Sequence, residues 1–176
     1  MSWWVARRPW CNVRPMSREI LVLWAGRHQR DDWGGLCERY RGRIERFTPM
    51  REKAVKAGSS SSGGGGLARL RAEASELRKA LPEPAWTVAL DRRGRQRSST
   101  ELASWLSHKR DGWPHPIVFV LGSDLGLDAG LAGECRERLS LGKLTLPHEL
   151  ARLVLYEQIY RALCINAGIK YHRGPL

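Results

Sequence analysis

Leu121 to Arg173 reads LGSDLGLDAGLAGECRERLSLGKLTLPHELARLVLYEQIYRALCINAGIKYHR, and this stretch decides the fold. The run that leads into it, Ile117 to Leu121 (IVFVL), is wholly apolar, as a strand covered on both faces requires. Gly122 follows at once. The pattern then predicts a short helix over Asp128 to Arg138, a strand over Leu139 to Leu144, and a long helix over His148 to Ala167. Apolar strands separated by helices indicate an α/β fold, a parallel sheet with helices on both faces.

Upstream, the same alternation continues. Ile20 to Ala25 (ILVLWA) is a second buried strand closed by Gly26. Leu36, Tyr40, Ile44 and Phe47 recur at helical spacing within Trp33 to Phe47, with Arg39, Arg41, Arg43 and Arg46 around the other side. Leu67 to Leu81 is a further helix, stopped by Pro82 and Pro84. Trp86 to Leu90 (WTVAL) is a strand that runs into a basic loop, Asp91 to Arg97. Ser98 or Ser99 can cap the next helix, over residues 99–111, with Glu101 in its first turn. The expected order is β-α-α-β-α-β-α-β-α. Ligands of such sheets bind beyond the carboxyl ends of the strands. Three loops are therefore candidates for the site: Asp91–Arg97, Gly122–Gly126 and Gly142–His148.

The chain has 176 residues, enough for one domain with a real core. Residues 18–176 are read as that domain. GSSSSGGGG, residues 58–66, is a flexible loop inside it by composition. Residues 1–17 are an extension with Arg7, Arg8 and Arg14 and no acidic residue. Two readings of it stay open: an organelle transit peptide, or an annotated overhang before a start at Met16.

The chain carries 30 basic against 18 acidic side chains and a net charge of +12. Such an excess points to a polyanionic partner, nucleic acid first. No apolar run approaches the roughly 18 residues of a membrane helix. Cys11, Cys37, Cys135 and Cys164 form no CxxC pair and have no His at zinc spacing, so no metal is expected. Scattered cysteines suit a reducing compartment, and the cytoplasm is the expected location, with an organelle of bacterial descent as the alternative.

Gly122-Ser123-Asp124-Leu125-Gly126 matches neither GxxxxGK[ST] nor GxGxxG, and by itself is a tight turn. Its position, immediately after a central strand, lets a ligand approach the backbone closely. Gly142 through His148 combines apolar side chains with free main-chain groups, which an adenine ring needs. The last helix is apolar nearly all round, so a second face is expected to meet a partner subunit. Glu157 and Arg161 stand four residues apart and can pair. Tyr171, His172 and Arg173 place an aromatic ring, an imidazole and a cation together, which suits an RNA base.

LTLPHELARLVLYEQIYRA and YHR, with Leu90–Asp91 and the glycine turns, resemble the ribosomal RNA large subunit methyltransferase H family. The resemblance runs from about Glu19 to Arg173. It implies a SPOUT-class α/β (trefoil) knot, a homodimer, and S-adenosylmethionine as cofactor. It implies methylation of N3 of a pseudouridine in large-subunit ribosomal RNA, on the assembled ribosome. By position, the cofactor pocket would be Leu90, Gly122, Ser123 and Gly126, with Gly142, Lys143, Leu144, Thr145, Leu146 and Pro147. His148 and the Tyr171-His172-Arg173 tail would border the target base. Arg92, Arg93 and Arg95, and Arg152 and Arg161 in the helix, would contact RNA.

The family usually has GGPEG where this chain has Gly122-Ser123-Asp124-Leu125-Gly126. The outer glycines remain, while Ser123 adds a Cβ where the cofactor's methionine end should pass. His172 or His148 is the expected base for the N3 proton, and Arg173 the group that steadies the charge left on the ring. Two rivals are a knot-fold RNA binder that has lost methyl transfer, and a methyltransferase acting on another RNA such as tRNA.

Overall fold

The computed structural model describes residues 19–26, 32–56 and 65–171. The extension at 1–17, most of the Ser/Gly loop, His172 and Arg173 lie outside the described residues. The elements are β1 (Ile20–Ala25), α1 (Asp32–Ile44), β2 (Met50–Val55), α2 (Gly66–Ala80) and β3 (Trp86–Gln96). They continue with α3 (Ser99–Gly112), β4 (Ile117–Leu121), α4 (Ala129–Glu134), β5 (Glu137–Ser140) and α5 (His148–Asn166). The strands form one sheet in the order β2-β1-β4-β3-β5, parallel at every pairing.

Alternate residues of the central strands feed two cores. Ile20, Val22 and Trp24 of β1 and Ile117, Phe119 and Leu121 of β4 pack under α1, α3 and α5. Leu21, Leu23, Ala25, Val118 and Val120 pack on the other face under α2 and α4, through Ala74, Leu77 and Leu131. β1 and β4 are therefore apolar at every position, as read.

The expected order lacked one strand. β2 (MREKAV) is an edge strand with polar side chains at its centre, and nothing in its composition announces it. Its charges are matched by distant groups: Arg51 pairs with Glu19, and Glu52 with Arg152. Two other boundaries differ from the reading. β3 does not stop at Leu90 but runs to Gln96, so the basic segment is part of a strand. The last strand lies at Glu137–Ser140 rather than Leu139–Leu144, since Ser140 and Gly142 (φ +148°) turn the chain out of the sheet. α4 is correspondingly shorter than Asp128–Arg138, with Asp128 capping it by accepting from Leu131 N at 2.9 Å. The start of α3 follows the local rule. Ser98 accepts from Glu101 N, and the Glu101 carboxylate accepts from Ser98 N at 2.7 Å.

Candidate active site

β4, β3 and β5 are neighbours in the sheet, and Leu90 is in register with Leu139. Their carboxyl ends therefore open side by side, with adjacent strands about 4.8 Å apart. Two of the candidate segments leave from the ends of β4 and β5, and the third, Asp91–Arg97, belongs to the last part of β3 between them.

The turn after β4 is closed on itself. Gly126 N donates to the Ser123 carbonyl at 2.9 Å, and Gly126 holds φ +83°. A Cβ at Gly122 would stand 1.8 Å from the Gly126 carbonyl oxygen, so only glycine fits there. Ser123 is buried; its hydroxyl donates to Glu73 Oε2 at 2.7 Å and accepts from Leu125 N at 3.3 Å. Asp124 pairs with Arg69 of α2. Burial pushes the Asp124 carboxyl up, but the Arg69 hydrogen bond and charge outweigh it and leave it below the usual carboxylate range. The Ser123 side chain thus serves the α2 side of the turn, and residues 124–126 are exposed.

In β3 the pairing slips. Leu90 and Arg95 both stand opposite Leu139, so Asp91 to Gly94 bulge out between them. Asp91 Oδ1 accepts from Arg93 N at 3.0 Å and holds the bulge. A Cβ on Gly94 would lie 2.7 Å from the backbone of Arg138 and Leu139, so β3 and β5 pass here with no space for a side chain. Arg92, Arg93 and Arg95 are exposed, and the Arg93 side chain (74% exposed) has Asp91 as its nearest acid at 4.0 Å.

After β5, Ser140 both accepts from Gly142 N (3.2 Å) and donates to Gly142 O (2.9 Å). Lys143, Leu144, Thr145 and Pro147 are exposed, and Leu144 is 80% so; Leu146 is half-buried. An open apolar leucine flanked by free backbone is the lining an adenine ring uses. The residues present thus fit S-adenosylmethionine: glycine backbone at one strand end, an apolar segment at another, and no side chain of Ser123 in between.

His148 opens α5. Its Nε2 lies 2.9 Å from Glu149 Oε1, and its ring is 6.4 Å from that of Trp24. Arg152, one turn on, was read as an RNA contact, and this is corrected. It is 5% exposed, donates to Glu52 at 2.8 Å, and lies 4.1 Å from the Trp24 ring centroid. Tyr156 is buried beside them, and burial, then the Glu52 carboxylate, pushes its phenol up. Arg161 is similarly engaged, donating from Nε to Glu157 at 3.0 Å and stacking 4.9 Å from Tyr171.

Tyr171 does not join His148. Its hydroxyl lies 3.3 Å from Glu157 and 3.4 Å from the Tyr40 hydroxyl, and its ring packs on Tyr160 at 4.8 Å. The hydrogen bond with Tyr40, and then burial, pushes its phenol up. Glu157 and Arg161 stand about 13–20 Å beyond His148 at the helical rise. The two described members of the candidate catalytic set, His148 and Tyr171, therefore stand apart along α5 within one chain. Two residues went unnoticed in the sequence: Glu73, and Trp24 as a packing partner of His148. Glu73 falls among Leu70, Ala74 and Leu77 on the apolar stripe of α2, where a carboxylate is out of place, and that was the available signal.

Residues 18–172 match the family model described as Predicted SPOUT methyltransferase. A relative called Ribosomal RNA large subunit methyltransferase H, from Geotalea daltonii, is 35% identical over 153 residues, covering 87% of this chain and 98% of its own. A protein of the same name from Afipia carboxidovorans is 38% identical over 158 residues, covering 88% and 99%. Among solved structures, a probable methylase family protein from Haemophilus influenzae superposes with a TM-score of 0.50 at 14% identity, over 92% of this chain and 73% of that one. That likeness concerns the fold alone.

Proposed function

Because this chain belongs to the SPOUT methyltransferase family, we propose that it methylates N3 of a pseudouridine in large-subunit ribosomal RNA, on the assembled ribosome and as a homodimer. At the coarser level it is an S-adenosylmethionine-dependent methyltransferase of ribosomal RNA. Its compartment is then one that holds ribosomes, which we take to be the cytoplasm.

The observation that carries this reading is that Gly122–Gly126 and Gly142–Pro147 leave the ends of β4 and β5, the two strands that flank β3, while Asp91–Gly94 bulges from β3 between them. Leu90, the Gly122–Gly126 backbone and Gly142 through Pro147 would hold the cofactor, which supplies an already activated methyl group. The protein's part is then alignment and removal of the N3 proton. His148, which directly follows Pro147 and has its Nε2 2.9 Å from Glu149 Oε1, would take that proton. The half-exposed Leu150, Val154, Glu157 and Arg161 form the outer stripe of α5 and are the proposed dimer face. The separation of Tyr171 from His148 along α5 favours the dimer, in which His172 and Arg173 of one copy would act with His148 of the other. Arg92, Arg93 and Arg95, exposed at the pocket rim, would hold the RNA backbone. We take the fold to carry the knot that the family implies.

The test is mass spectrometry of large-subunit ribosomal RNA from cells with and without the gene, followed by methylation of the deficient ribosomes by the purified protein. A methylated pseudouridine lost and restored is the expected result. Unchanged RNA would overturn the proposal.

A further inference from the structure

We infer that Glu73, acting with Arg69, is a positioning residue for the turn after β4 and sets the affinity for the cofactor. The inference rests on the reading of that turn as part of the S-adenosylmethionine pocket.

Glu73 is 2% exposed and lies beside Ala74 and Leu77, both at 1%, on the face of α2 that covers the sheet. A carboxylate at that depth is costly unless it is hydrogen-bonded and neutralised. It has two donors: Arg69 Nε at 3.0 Å and the Ser123 hydroxyl at 2.7 Å. The single proton of that hydroxyl is committed to Glu73. Its lone pairs are thereby free for Leu125 N, which it accepts at 3.3 Å. The order is directional: buried carboxylate, hydroxyl, backbone N–H of the turn. Arg69 meanwhile bridges Glu73 and Asp124, so two consecutive turn residues are tied to the first two turns of α2.

The turn needs this fastening. Gly122 and Gly126 remove the side chains that normally restrict a backbone, and glycine loses the most freedom on ordering. The close pass of Gly122 against Gly126 gives the shape, and the link to Glu73 holds it before ligand arrives. A preorganised turn raises affinity because binding no longer has to order it. Ser123 stands where the resembled family has glycine. With its hydroxyl held by Glu73, the added side chain packs on the α2 side and leaves the exposed backbone of 124–126 open.

Calorimetric titration with S-adenosylmethionine, alongside thermal unfolding, tests this on the wild type, Ser123→Ala, Glu73→Gln, Glu73→Ala and the Ser123→Ala/Glu73→Gln double variant. A hydrogen bond to a charged group corresponds to about a tenfold change in binding. Ser123→Ala and Glu73→Ala should each weaken the cofactor about tenfold, with a raised KM for the cofactor and kcat held. Glu73→Gln, which keeps an oxygen for Ser123, should recover part of the loss. The double variant should be no worse than the worse single, because both break one link. Where Glu73→Ala does not fold, Ser123→Ala, which removes one oxygen, carries the test. Variants that melt earlier but bind the cofactor like the wild type would overturn the inference alone. A folded wild type that does not bind the cofactor would overturn the pocket reading, and this inference with it.

Discussion

Removing the Glu137 carboxylate should be one of the costliest single truncations at the β3–β5 edge of the sheet. Glu137 begins β5 and gathers four donors from β3, α3 and the loop between them. Trp86 and Trp105 donate their Nε1 groups at 3.0 Å, Arg97 Nη2 donates at 2.7 Å, and Lys109 Nζ stands 3.6 Å away. Arg97 is 8% exposed at its side chain and Glu137 21%, so solvent replaces little of what is lost. Hydrogen bonds to a charged group contribute about 1.5–3 kcal/mol each and do not add when they share an acceptor, so Glu137→Ala should cost about 3–4 kcal/mol. At about 2–4 °C per kcal/mol for a chain of this size, the melting point should fall by about 6–16 °C. Glu137→Gln keeps an oxygen and loses the charge, and should cost about 1–2 kcal/mol. The pH dependence separates charge from shape. Burial pushes this carboxyl up, but the bonds from Trp105, Arg97 and Trp86 outweigh it and hold it below its ordinary value of 4.5. A lowered folded value means that the stabilisation is complete above about pH 4.5 and lost as the pH falls through the folded value. Urea unfolding followed by circular dichroism, at fixed protein concentration, should therefore show wild type and Glu137→Gln apart near neutrality and converging below about pH 4. A cost under about 1 kcal/mol for Glu137→Ala, or a wild-type-to-Gln gap that persists unchanged into acid, would refute the reasoning.

Three further outcomes follow from the same coordinates. Gly122→Ala places a Cβ 1.8 Å from the Gly126 carbonyl and should abolish cofactor binding in calorimetry while the far-ultraviolet spectrum of the sheet persists. Arg152→Ala leaves Glu52, 13% exposed at its side chain, without its cation and should cost about 3–5 kcal/mol in urea unfolding, whereas the Arg152→Met/Glu52→Met pair should be less destabilised than the single variant. Replacing Arg92, Arg93 and Arg95 by Ser should leave cofactor affinity unchanged and make the slope of log K against log salt for RNA binding shallower by about 2, three contacts at about 0.7 each; an unchanged slope would remove them from the RNA interface.

What could be read in the chain, and what could not, divides by the distance over which each rule acts. IVFVL and ILVLWA were legible because β4 and β1 are covered on both faces, and burial alone dictates every residue. The Ser98–Glu101 box was legible because it is complete within four residues. β2 was not, because its Arg51 and Glu52 are matched by Glu19, 32 positions away, and Arg152, 100 positions away. The same pairing misled the reading of Arg152. On a helix a basic residue looks the same whether it faces RNA or a carboxylate on an edge strand, and no periodicity separates the two. The site divided likewise. The glycines at 122, 126 and 142 announced turns, and these turns leave the ends of β4 and β5 on either side of β3, but Glu73 joined the first of them only through tertiary packing. Yet Glu73 broke a local rule, a charge on an apolar stripe, and such a break marks a position where a long-range contact offsets the cost. That is why Glu73, rather than any of the exposed arginines, carries the least expected information about how this turn is held in shape.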